Sequence, residues 1–153
     1  MEHIIKQLNK EIPTEIKSQI AKQYANTFSR ECVYRVAKNG IINEEAFIST
    51  YEEFKKDIHN GKKADKYPLD DKKTYGTSIS IKVKFCEKYL SCLKGGLKAK
   101  YPHPIIIKGK TYKEWGVMDN PSENGHINWW IFTDKIQEII NNFMEYKGGK
   151  NDG

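Results

Sequence analysis

Arginine is almost missing from this chain: of 26 basic residues only Arg30 and Arg35 are arginine, and the rest are lysine. That weakens the nucleic-acid reading of the net charge of +6. Lysine is a compact, hydrated point charge without the planar fork that grips phosphate or guanine. Lys, Asn, Ile and Tyr in abundance with little Arg is also what AT-rich codon usage produces. Cysteine is scarce and odd in number. Cys32, Cys86 and Cys92 have no metal-ligand spacing, which argues against a disulfide framework and for free, buried thiols in a reducing cytoplasm. No apolar run approaches the roughly twenty residues that a membrane helix needs, and the start, Met1 to Lys6, lacks a secretory apolar core. The glycine signatures of dinucleotide and P-loop sites are missing, as are internal repeats. The expectation is a cytoplasmic protein that does not enter membranes.

Charge and hydrophobic pattern carry what information remains. Residues 55–110 hold 15 lysines against 5 acids, an excess of +10, so the rest of the chain carries about −4. Such a stripe suits nucleic acid or an acidic protein surface, and equally a solvated face. At 153 residues the chain has the length of one domain and enough material for a core. We expect a single α+β domain over 1–153, with a small mixed or antiparallel sheet and helices packed on it. N-terminal helices would occupy 1–30, the α+β core 31–147, and a flexible tail 148–153.

Ile4, Ile5 and Leu8 suggest a first short helix. Thr14 is a candidate N-cap for a second, whose stripe of Ile16, Ile20, Tyr24 and Phe28 should face the core. Cys32 to Ala37 reads as a strand closed by the turn Lys38-Asn39-Gly40. Ser49 with Glu52 fits a capping box for a helix through Tyr51, Phe54 and Ile58 that ends near Asn60-Gly61. A polar loop over 62–73 precedes Tyr75 to Ser80, a turn or strand entry. Phe85, Tyr89, Leu90 and Leu93 form a helical stripe that stops at Gly95-Gly96. Pro104 to Ile107 is a buried-type strand, and 109–125 reads as loop. In the strand His126 to Phe132, the adjacent Trp129 and Trp130 must project to opposite faces. One can anchor the core while the other meets a second layer, a groove or a partner. A last helix from Thr133 carries Ile136, Ile139, Ile140, Phe143 and Met144.

Arg35 is the sharpest candidate for a site, because it sits inside an apolar strand. Pointing inward it needs a partner, since an unpaired buried charge is very costly. A ligand carboxylate or phosphate, a neighbouring Asp or Glu, or simple solvent exposure would each answer that need. Thr77 and Ser78 follow Gly76 in a segment whose N–H groups and hydroxyls can surround an anion. His103 and His126 flank the two late strands, where they offer acid–base chemistry or plain surface hydrogen bonding. Cys86 and Cys92 read as packing residues.

Val33-Tyr34-Arg35-Val36, Phe47-Ile48-Ser49-Thr50, Tyr75-Gly76-Thr77-Ser78 and His126-Ile127-Asn128-Trp129-Trp130 together resemble a pattern in small uncharacterised proteins of Firmicutes and their mobile elements, which implies no activity. Arg35 followed by Ser49-Thr50 is also similar, in order and type, to the first two NAD-holding elements of ADP-ribosyltransferases. The third departs, because residues 126–132 contain no glutamate, and Glu114 and Glu123 lie only in the preceding loop. That resemblance implies NAD as cofactor; no metal is expected. Arg35 would hold the phosphates, Ser49 and Thr50 the nicotinamide-ribose side, and Glu123 or Glu114 the developing oxocarbenium ion. Tyr75 or Trp129 would stack on a ring, with Thr77, Ser78 and His126 completing the pocket. Replacing Arg35 by Lys should then weaken the ligand while folding largely survives. The alternative is a non-enzymatic binding module, such as a mobile-element accessory or inhibitor protein. It would hold nucleic acid or an acidic protein surface with the lysine stripe and an exposed tryptophan.

Overall fold

The computed structural model of the protein describes residues 1–59, 68–96 and 101–148. In chain order these form α1 (Glu2–Gln7), α2 (Thr14–Gln23), β1 (Arg30–Ala37), α3 (Thr50–His59), β2 (Thr77–Ser80), α4 (Val83–Gly96), β3 (Ile105–Thr111), β4 (Gly116–Met118), β5 (His126–Ile131), α5 (Ile136–Asn141) and β6 (Phe143–Glu145). The strands make one sheet in the order β4-β5-β2-β1-β3-β6, and every pairing is antiparallel. The fold is therefore α+β with an antiparallel sheet. The expected helix end at Asn60-Gly61, the loop residues 62–67 and the tail residues 149–153 lie outside the described residues. No helix among the described residues is long and apolar enough to cross a membrane.

The two tryptophans of β5 divide the core as strand alternation requires. Trp129, 0 % exposed, packs with Val33, Ile79, Ile107 and Phe143 on one face. Trp130, 1 % exposed, packs on the other with Ile12, Ile16 and Ile20 from the N-terminal segment. β4 lies beside them, pairing Val117 with Trp130 and Met118 with Trp129. Its Gly116 is required by close approach, because a Cβ there would stand 2.5 Å from the Trp130 carbonyl oxygen. Gly40, with φ +73°, takes the left-handed turn that ends β1.

Several local expectations need correction. Helix α2 starts at Thr14 itself, with Pro13 in the cap position and no side-chain cap bond. Phe28 is 58 % exposed and outside the core. The helix gives way to a tight turn at Tyr24–Asn26, and Thr27 goes inside instead, its hydroxyl accepting from Met118 N at 3.0 Å. Cys32 and Cys92 are exposed, and only Cys86 is buried. The last helix ends at Asn141, so Phe143 and Met144 belong to β6, which pairs with β3. The strand expected over 104–107 runs from Ile105 to Thr111, and the stretch 109–125, expected to be loop, holds the end of β3 and all of β4.

Truncating either wall of this core leaves a large cavity on one face. Trp129→Ala and Trp130→Ala should each lower the unfolding free energy by roughly 3–5 kcal/mol, read from denaturant melts. A loss under about 1 kcal/mol for either would contradict the two-faced packing.

Candidate functional site

Strands β1 and β2 register at a single pair, Tyr34 with Ser80. Beyond it they diverge, and residues 46–50 enter the fork. Arg35 stands on the same side of β1 as the buried Val33 and Ala37, and its guanidinium fills the space where ladder bonds are lacking. Nη1 donates to the Ser78 carbonyl at 2.8 Å and Nη2 to that of Ile48 at 3.1 Å. Nε donates to the Ala46 carbonyl in a short bond. Thr77 adds a fourth tie, its hydroxyl donating to the Phe47 carbonyl at 2.8 Å. The Thr50 N–H closes the set on the Gly76 carbonyl.

Arg35 therefore points inward, and its first partners are main-chain carbonyls. One hydrogen each on Nη1 and Nη2 lies outside these bonds, and Glu53 Oε1 stands 3.7 Å from Nη2. Burial lowers the guanidinium pKa from its ordinary value, and Glu53 opposes that shift. Glu53 also takes the Lys38 ammonium, at 2.9 Å. Burial pulls Lys38 down, but Glu53 and Tyr89 together outweigh it and the net shift is upward, so the lysine stays charged.

The entering segment separates two clefts. One, of about 260 Å³, is lined by Arg35, Lys38, Thr50, Glu53, Ser78 and Tyr89 among others. The other, of about 240 Å³, includes Ser49, Glu52, Tyr75, Thr77 and Trp130 in its wall. The expected site residues are thus divided, with Arg35, Thr50 and Ser78 in the first cleft and Ser49, Tyr75 and Thr77 in the second. Ser49 is occupied as a helix cap: the Glu52 N–H donates to Ser49 Oγ, and Glu52 Oε1 accepts from the Ser49 N–H, both at 3.2 Å. The Tyr75 hydroxyl donates to the Leu69 carbonyl. Trp129 cannot stack on a ligand because it is sealed in the core. Glu123 is exposed in the turn before β5, where its main-chain carbonyl accepts from Lys82 Nζ, and Glu114 lies in the turn before β4. Neither lines either of these two clefts. Glu53, which sequence reasoning did not single out, supplies a carboxylate there. Its only sequence signal was its place one turn into the capped helix.

His126 sits diagonally across the β2–β5 ladder from Ser78, with Nε2 3.0 Å from Ser78 Oγ. The Phe85 ring leans on the imidazole at 5.7 Å between centroids. Burial lowers the His126 pKa, Lys73 adds to that, and Asp119 opposes it. Cys86, in the wall of the first cleft, is pushed by burial up to about 11 and is a protonated thiol near neutrality.

The tryptophan platform required for single-strand binding is missing, since Trp115, Trp129 and Trp130 are all buried. Several lysines of the stripe are also paired, Lys55 with Glu11, Lys56 with Glu45 and Lys110 with Glu31. No cluster among the described residues groups three or more His, Cys, Asp or Glu side chains for a metal. Compared with protein families, with curated proteins and with solved structures, the chain has no match.

Two measurements bear on this geometry. Arg35→Met removes the donors from three carbonyls and should cost about 3 kcal/mol or more in denaturant melts. Arg35→Lys should cost about 2 kcal/mol, because one ammonium cannot span the three acceptors. A loss of this size would show that folding leans on the fork, whereas an unchanged melt would match the expectation that folding survives this change. His126 favours the folded state in its neutral form. Stability should be level above the ordinary imidazole pKa of 6.5 and fall as pH drops from there through the lowered folded value. His126→Gln should flatten that slope.

Proposed function

We propose that this protein binds a small anionic, ring-bearing molecule of nucleotide-like chemistry in the cleft between β1, β2, α3 and α4. The observation that carries this reading is the placing of Lys38. Its ammonium lies 5.6 Å from the ring centroids of both Tyr89 and Tyr101, and it shares Glu53 with the Arg35 guanidinium. Cations beside aromatic faces and a threonine hydroxyl offer charge to a phosphate or carboxylate, flat surface to a ring, and a hydrogen bond to a sugar. Lys38 sits on a flexible stem and can turn from Glu53 toward an incoming anion that replaces the lost charge partner.

NAD is the particular ligand that the resemblance to ADP-ribosyltransferases implies. In that version Arg35 faces a phosphate, Thr50 a ribose hydroxyl, and Glu53 takes the part expected of Glu123. The cleft volume of about 260 Å³ is just below the roughly 300 Å³ at which small-molecule sites begin. It therefore favours a mononucleotide, or one half of a dinucleotide, as the part enclosed.

Calorimetry with AMP, ADP-ribose, NAD and inorganic phosphate tests the reading. We expect saturable heat for at least one nucleotide, weakened tenfold or more by Lys38→Met, which is about 1.4 kcal/mol. Tyr89→Ala should weaken nucleotide but not phosphate. No heat from any of these at millimolar ligand, with salt-sensitive binding of oligonucleotides instead, would replace the pocket by a basic binding surface.

A further inference from the structure

We propose that Ser78 is a nucleophile and His126 its general base, and that the pair performs acyl transfer on a small anionic ester held in the Arg35–Lys38 cleft. The inference rests on the binding reading for its substrate class, but its chemistry stands on separate observations. Ser78 lines that cleft, and its hydroxyl is 3.0 Å from His126 Nε2. That is the contact a serine needs to lose its proton during attack. The fork fixes the serine, because Arg35 Nη1 grips the Ser78 carbonyl at 2.8 Å and the neighbouring Thr77 hydroxyl is tied to Phe47. The imidazole is held by the Phe85 ring against it. Ser80, the direct strand partner of His126, turns its hydroxyl to the Lys82 carbonyl instead, which leaves Ser78 as the partner of Nε2. Burial, the first cause, keeps the imidazole in its neutral, basic form near neutral pH.

The step balances within the chain and its substrate. As Ser78 Oγ bonds to the acyl carbon, its proton passes to His126 Nε2. The ester C–O bond then breaks, and the departing alcohol takes that proton. Water, deprotonated by the same nitrogen, attacks the acyl-serine and returns Ser78 Oγ–H with release of the acid. An ester of an anionic alcohol or acid matches the cleft, because Arg35 and Lys38 supply positive charge beside the serine.

A fluorophosphonate serine probe, followed by intact mass and peptide mapping, tests the proposal on the whole protein. We expect one label on Ser78, none on the Ser78→Ala form, and labelling slowed a hundredfold or more by His126→Gln, with tryptophan fluorescence reporting that the variant is folded. If that variant does not fold, the pH dependence of labelling in the unaltered protein decides instead. Asp119 and Lys73 act on His126 electrostatically and Ser78 and Phe85 contact it. A rate that falls as pH drops below 6.5 supports the proposal. No label, a label on another residue, or a rate insensitive to His126 and to pH overturns it. Calorimetry on Ser78→Ala separates the two ideas: nucleotide binding retained alongside failed labelling leaves the binding protein without the chemistry, while labelling without nucleotide binding removes the proposed substrate class and keeps the dyad.

Discussion

The grip of one guanidinium on three main-chain carbonyls is the constraint on which the rest of this structure depends. Two neighbouring strands, β1 and β2, share one registered pair, and a sheet opened at that point would leave carbonyls without donors. An unpaired buried carbonyl is costly, and arginine is the side chain whose donors fan out in one plane to meet several at once. Arg35 does so across sequence separations of 11, 13 and 43 residues. Glu53 and the carbonyl dipoles offset part of the desolvation of the charge it brings inside, and burial still lowers its pKa.

From that fork the two clefts follow. A continuous ladder between β1 and β2 would leave no room for residues 46–50. With them inserted, the space on either side is walled by different chemistry. Cations, Glu53 and Tyr89 border one cleft, while the capped start of α3, Tyr75 and Trp130 border the other. The same insertion starts α3, because Ser49 caps the helix at the point where the chain leaves the fork. The bonds that hold the inserted segment and the wall of the first cleft therefore share one side chain, Arg35.

The charge of the protein reads differently once the partners are known. The lysine stripe of residues 55–110 looked like a track for phosphates. In the fold, described members of it are drawn to carboxylates or lie over aromatic rings, as Lys72 does on Trp130. Exposed pairs of this kind contribute little to stability, but they dilute the field that an extended polyanion would meet. The cations in the wall of the first cleft are Arg35 and Lys38.

The sequence by itself determined what depends on neighbours along the chain. The capping box at Ser49 and Glu52, the opposed directions of Trp129 and Trp130, the turn at Gly40 and the α+β class all rest on spacings of a few residues. Only the tertiary structure decided what depends on distant partners. β4 and β6 are three residues each, too short to carry a period of their own, and exist as strands because β5 and β3 offer edges to pair with. Phe28 fits the helical stripe, yet the helix ends before it. Arg35 was legible as a residue needing a partner. That the partners are carbonyls of an inserted segment, that Glu53 rather than Glu123 stands beside it, and that Ser78 meets His126 from 48 residues away follow from how the strands diverge, and no local pattern encodes that divergence.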